Sequence, residues 1–202
     1  MSRNIIAILR GVKPDEVEAH VEALIAAGVT VIEVPLNSPE PFDSIERLIA
    51  RFGGQAKIGA GTVLDVAAVE RLSKMGAAIV VSPNADADVI AATRAAGMES
   101  WPGVFTPTEC FSALKAGATG LKFFPATLIG PAGLAAIKAV MPKGTPLYAV
   151  GGAGADNFAE WLKAGATGFG IGTSIYKPGQ SVEMTAAQAA RIVAAYDAAV
   201  TG

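Results

Sequence analysis

A lysine interrupts an apolar, strand-like run, Gly120-Leu121-Lys122-Phe123-Phe124-Pro125, which a proline then closes. Burying an ammonium group without a partner is costly. Lys122 therefore either snorkels to the surface from a strand end or gives up its proton. A neutral amine attacks a carbonyl carbon and forms a Schiff base, so the second case is chemistry. Phe123, Phe124 and Pro125 stand where they would keep water from such an amine and lower its pKa. Other polar groups also fall where apolar runs end: Arg10, Glu33, Thr62, Ser82 and the turns Gly151-Gly152 and Gly172-Thr173. Glu33, between Ile32 and Val34, either pairs with a neighbouring cation or shuttles the protons that Schiff-base steps require. Arg10 either bridges to Glu33 or binds a carboxylate through paired hydrogen bonds. Thr62, in Gly59-Ala60-Gly61-Thr62, either completes a tight turn or offers a hydroxyl where glycines let a ligand approach the backbone. Gly151-Gly152-Ala153-Gly154 and Gly170-Ile171-Gly172-Thr173-Ser174 present bare backbone N–H groups, the second at the start of a short helix. Such amides attract anions. Neither turn matches the dinucleotide fingerprint or the P-loop, so they point to a phosphorylated small molecule.

Composition removes several other chemistries. Lys and Arg number 16 against 18 Asp and Glu, with no basic run, so nucleic acid is not an expected partner. Cys110 is the single cysteine, which excludes an intrachain disulfide, and nothing has the Cys/His spacing of a zinc site. His20, the single histidine, reads as part of an exposed helix face, which sets aside the Ser-His-Asp and Cys-His classes. No long apolar segment follows the N-terminal Met1-Ser2-Arg3-Asn4-Ile5, so neither a signal peptide nor a membrane span is expected, and a cytoplasmic enzyme fits best.

The elements that must position these groups alternate along the chain. Apolar runs at Ile5–Leu9, Val29–Val34, Lys57–Ala60, Ala78–Ser82, Met98–Trp101, the Lys122 stretch, Leu147–Val150 and Gly168–Ile171 read as strands. Helical stretches start near Pro14, at Ser38-Pro39-Glu40 with a cap, and near Asp65, Asp86, Pro107, Pro131, Asn157 and Val182. Strands this apolar want both faces covered, which a parallel sheet wrapped in helices provides. The eightfold alternation points to a closed (β/α)8 TIM barrel, a compact single domain over residues 1–202. The hexads Lys115–Gly120 and Lys163–Gly168 are identical, which supports repeated units. In such a barrel the groups named above gather at one rim, where strands end and loops begin.

With those residues in place, the chain resembles the 2-keto-3-deoxy-6-phosphogluconate and 2-keto-3-deoxy-6-phosphogalactonate aldolases. The resemblance rests on Ile6-Ala7-Ile8-Leu9-Arg10-Gly11, Ile32-Glu33-Val34, Gly59-Ala60-Gly61-Thr62, Ser82-Pro83-Asn84, Pro102-Gly103, Leu121-Lys122-Phe123-Phe124-Pro125 and Val150-Gly151-Gly152. It implies a class I aldolase, commonly a homotrimer, that needs no metal or other cofactor. By that similarity Lys122 is the Schiff-base nucleophile and Glu33 the proton carrier. Arg10 and Thr62 would hold the pyruvyl carboxylate, and Gly152, Gly172 and Thr173 the phosphate. The products would be pyruvate and glyceraldehyde 3-phosphate. After its glutamate the gluconate branch usually carries a threonine-leucine-arginine run. Here Pro35-Leu36-Asn37-Ser38-Pro39 follows, which resembles the galactonate branch and implies its substrate. The gluconate substrate, a phosphosugar isomerase or epimerase, and a non-catalytic phosphometabolite-binding barrel are the alternatives.

Overall fold

The computed structural model describes residues 3–201, so Met1, Ser2 and Gly202 of the expected domain lie outside the described residues. Strands and helices alternate throughout. The first half holds β1 (Ile5–Ile8), α1 (Val17–Ala26), β2 (Val31–Pro35), α2 (Pro41–Phe52), β3 (Lys57–Gly61), α3 (Val66–Met75), β4 (Ile79–Val81) and α4 (Ala87–Ala95). Next come β5 (Glu99–Trp101), β6 (Gly103–Val104), α5 (Pro107–Lys115), β7 (Leu121–Phe123) and α6 (Ala126–Lys138). The chain continues through β8 (Leu147–Val150), α7 (Phe158–Ala164), β9 (Gly168–Ile171) and α8 (Val182–Thr201).

All strand pairs are parallel, in the order β5-β4-β3-β2-β1-β9-β8-β7-β6. The two end strands are consecutive in the chain and separated only by Pro102. Proline has no N–H to give the ladder, but its carbonyl still accepts the Lys122 N–H at 2.9 Å. One barrel position is therefore a strand bent at Pro102, and the sheet comes round on itself there. The fold is a parallel α/β barrel, with the eight expected units appearing as nine short strands among the described residues.

Some boundaries differ from expectation, for local reasons. Pro14 lies in the turn before α1 rather than in its first turn. Ser38 does not cap α2: the helix starts at Pro41, and its N-terminal flank Glu40 has a left-handed backbone and no capping side chain. α6 begins at Ala126, before Pro131, and is broken at Gly130 (φ 65°, ψ 167°). The Asp65 and Asp86 caps and a Thr106–Glu109 capping box start α3, α4 and α5.

Side-chain parity divides the core into two layers. Ile5, Ala7, Ile32, Val34, Phe123 and Phe169 belong to the large cluster that meets the helices. Ile6, Ile8, Ile79, Val81, Trp101, Tyr148 and Val150 form a separate cluster inside the barrel. Trp101 and Tyr148 lean on each other with ring centroids 4.2 Å apart. The repeated hexad serves this pair. A Cβ on Gly120 would come 2.4 Å from the Trp101 ring, and one on Gly168 equally close to the Tyr148 ring. Just before each glycine a threonine hydroxyl accepts a strand amide, Ser100 N–H to Thr119 at 3.0 Å and Leu147 N–H to Thr167 at 2.9 Å. The identity of the two hexads thus has a shared packing cause. Among the described residues no helix is long and apolar enough to cross a membrane.

Candidate active site

Glu33 is an inward position of β2, in register with Ile8 of β1 and Gly59 of β3. It is 1% exposed, so of its two expected settings the inward one holds. Its carboxyl enters a small cavity walled by Ile8, Val81, Trp101, Tyr148 and Val150, which Lys122 also lines. Among the described residues Oε2 has no hydrogen-bond partner. A carboxylate stripped of water and of donors favours its protonated form. Burial accordingly pushes the Glu33 pKa up to about 7, against the opposing pull of the Lys122 and Arg10 charges. Gly61 is what leaves room for this carboxyl: an added Cβ would lie 1.7 Å from Oε2. The glycine read as an approach for ligand is therefore a hollow for the acid.

Lys122 extends inward from β7 and is 7% exposed. Burial lowers its pKa; the Glu33 charge acts in the opposite direction and Arg10 adds to the lowering. Nζ lies 4.8 Å from the centroid of the Phe124 ring. Phe123 does not shield the amine as expected, because alternation along β7 turns it into the helix-facing layer.

The amine opens onto a cavity of about 720 Å³ lined by Arg10, Phe124, Gly152, Gly172 and Thr173 among others. Gly151 and Gly152 have φ of 86° and 93°, a region that favours glycine. A Cβ on Gly152 would also meet Thr127 at 2.1 Å. The Asn157 side chain ties this turn, donating to the Gly152 carbonyl and accepting from the Gly154 N–H, each at 2.9 Å. After β9 the expected short helix is one turn, closed by the Ile175 and Tyr176 amides on the Gly172 carbonyl. The Thr173 and Ser174 amides at its start have no acceptor among the described residues.

The structure thus brings together Arg10, Glu33, Lys122 and the two glycine turns. Thr62 stands apart: it lies just beyond β3, lines neither cavity, and holds φ of 56°, unusual for a β-branched residue. Arg10 does not bridge to Glu33. Its Nη1 donates to Asn37 Oδ1 at 2.6 Å, and it reaches the two buried groups through charge alone. Ser38, expected at a helix cap, accepts the Gly11 N–H at 2.9 Å. Neither partner could be found in the sequence, since groups 27 residues apart meet only when the loops do. His20 is another correction. It is buried, bonds Thr185 Oγ1 at 2.8 Å and meets Tyr176 edge-on, because α8 covers the face of α1 that looked exposed.

An amine of lowered pKa and a carboxyl of raised pKa share a small cavity that opens to a larger one, an arrangement that suits Schiff-base chemistry in a parallel α/β barrel. Residues 1–193 match the family described as "Aldolase: KDPG and KHG aldolase", and the chain belongs to that family. It is 50% identical over 202 residues to "Probable 2-dehydro-3-deoxy-6-phosphogalactonate aldolase" of Rhizobium meliloti (strain 1021), covering 100% of this chain and 95% of that one. It is 48% identical over 196 residues to the Escherichia coli (strain K12) 2-dehydro-3-deoxy-6-phosphogalactonate aldolase, covering 97% and 96% of the two chains. A solved structure described as "Native KDPGal structure" superposes with a TM-score of 0.98 at 46% identity, covering 100% of this chain and 98% of that one.

The crowding at Gly61 is directly testable. Gly61→Ala should displace the Glu33 carboxyl and lower kcat on the order of 100-fold, while borohydride still traps pyruvate on Lys122. An unchanged kcat would show that the carboxyl does not need that hollow.

Proposed function

We propose that this aldolase cleaves 2-dehydro-3-deoxy-6-phosphogalactonate to pyruvate and D-glyceraldehyde 3-phosphate through a Schiff base on Lys122. The observation that carries this reading is the shared burial of Lys122 and Glu33, which moves their pKa values toward each other. The lowered amine supplies the neutral nucleophile, and a carboxyl titrating near 7 both gives and takes protons at neutral pH. Lys122 Nζ adds to the C2 carbonyl of the substrate. Glu33 protonates the carbinolamine hydroxyl, water leaves, and a protonated imine remains. The Glu33 carboxylate then takes the proton of the C4 hydroxyl. The C3–C4 bond breaks, its electron pair moves toward the iminium nitrogen, and C4 leaves as the aldehyde. The enamine is protonated at C3, and water releases pyruvate and the amine. Arg10, which lines the cavity with Lys122, holds the carboxylate end, and Thr62, which lines neither cavity, has no part. The phosphate lies against Gly152, Gly172 and Thr173, whose turns offer backbone N–H groups to an anion.

The galactonate substrate is supported by the names of the two relatives that match along nearly the whole chain, and by the Pro35–Pro39 run. Pyruvate release from the gluconate and galactonate substrates, assayed side by side, tests it: the galactonate compound should give the higher kcat/KM. The reverse order would assign the C4 epimer instead. Borohydride with pyruvate should add mass on Lys122 and none in Lys122→Ala; no adduct in the unmutated protein would remove the Schiff base and leave an isomerase, an epimerase or a binding barrel.

The pH dependence follows from the raised Glu33 pKa. Below about 7 the group is protonated and can give its proton to the carbinolamine, a step that itself generates the carboxylate for carbon–carbon cleavage; as pH rises through that value the acid form is lost. The alkaline limb of kcat/KM should therefore fall near pH 7 and be absent in Glu33→Gln, whose turnover drops by about 10²- to 10⁴-fold. A limb at ordinary carboxylate pKa would contradict the assignment.

The proposed assembly is a homotrimer. Leu64, Phe105, Phe111 and Leu128 are large apolar side chains left exposed on one chain, as a subunit interface would require. Sedimentation equilibrium should give three times the chain mass of 20.4 kDa, and a monomer mass would refute it.

A further inference from the structure

The turn after β1 carries Arg10 and Gly11, and two other loops hold it. Gly11 has φ of 81°, and a Cβ there would come 2.7 Å from Pro178 Cγ, in the loop that follows the Gly172–Tyr176 turn. From the loop after β2, Ser38 Oγ accepts the Gly11 N–H at 2.9 Å and Asn37 Oδ1 accepts from Arg10 Nη1 at 2.6 Å. That second loop is itself anchored. The Leu36 N–H bonds the Gly61 carbonyl at 2.8 Å, the Ser38 N–H bonds the Pro35 carbonyl at 2.9 Å, and Ser38 is buried. Two adjacent side chains thus grip two adjacent residues of the rim from a base tied to β2 and β3.

We propose that Asn37 and Ser38 are positioning residues that aim the Arg10 guanidinium over the Lys122 cavity as a carboxylate receptor. Asn37 occupies one Nη1 hydrogen, while Nε and Nη2 have no acceptor among the described residues. The remaining edge of the fork keeps the paired donors that suit a carboxylate. The acceptor is also neutral. An aspartate at position 37 could make the same hydrogen bond, but it would pair with the Arg10 charge and compete with the ligand's carboxylate. An amide oxygen directs the guanidinium and leaves its charge available. Ser38 acts one step back, fixing the backbone from which Arg10 projects.

This inference rests on the Schiff-base reading above, and the experiment separates the two. Borohydride trapping on Lys122 is measured as a function of ketone concentration, with pyruvate and with acetone, which has no carboxylate. Asn37→Ala should raise the half-saturating pyruvate concentration about three- to tenfold, the scale of one partly solvated hydrogen bond to a charged group. Asn37→Asp should raise it at least as much although the hydrogen bond can persist. Neither change should move the acetone curve. In an Arg10→Ala background Asn37→Ala should add nothing further, because its effect passes through Arg10. An unchanged pyruvate curve in both Asn37 variants overturns the positioning role, as does an equal shift for pyruvate and acetone, which would mark a general loosening of the site. Absence of any pyruvate adduct in the unmutated protein overturns the Schiff-base reading and this inference with it.

Discussion

The interior of the barrel buries an acid and a base together, and the rest of the site is arranged around that burial. Separately, each group would be forced neutral by loss of water. Together, each charge partly supports the other: Glu33 opposes the lowering of the amine's pKa, and the amine holds back the rise of the carboxyl's. Dry walls are essential to this balance. Ile8, Val81, Trp101, Tyr148 and Val150 supply them, and among the described residues no hydrogen-bond donor is spent on Glu33 Oε2. A donor there would favour the carboxylate and pull the group back toward ordinary acidity.

Several small residues follow from the same constraint. Gly61 gives the carboxyl its space, while Gly120 and Gly168 admit the two aromatic rings that floor the cavity. Each would be crowded by even a methyl group, and interiors packed this closely leave little room for adjustment. At the mouth the requirement reverses. There the Thr173 and Ser174 amides have no acceptor among the described residues, as an anion site needs. Dry apolar walls at the bottom and donors free at the top suit a substrate whose carbinolamine must lose water and whose phosphate must stay charged.

The loops differ in how they were legible. Strand and helix order, the closed parallel architecture and the residues of the rim can be read from alternating apolar runs and helix stops, because both are local patterns. The local reading failed where an element from elsewhere decided the outcome. His20 looked exposed until α8 covered it. Ser38 looked like a helix cap, yet its hydroxyl serves Gly11. Phe123 looked like a shield for the amine, and parity along β7 turned it to the other face.

The sequence by itself determined which chemistry was available: one buried-looking lysine, a glutamate inside an apolar strand, and glycine turns placed where strands end. Composition and spacing suffice for that because they fix what kinds of group the chain carries and which apolar runs hold them. Tertiary structure alone decided that Lys122 and Glu33 share one cavity, that the space left by Gly61 goes to the Glu33 carboxyl, and that Asn37 is the partner of Arg10. The reason is that desolvation and hydrogen-bond direction depend on what stands across the barrel and on neighbouring loops. Those neighbours come from distant parts of the chain, and no local pattern records them.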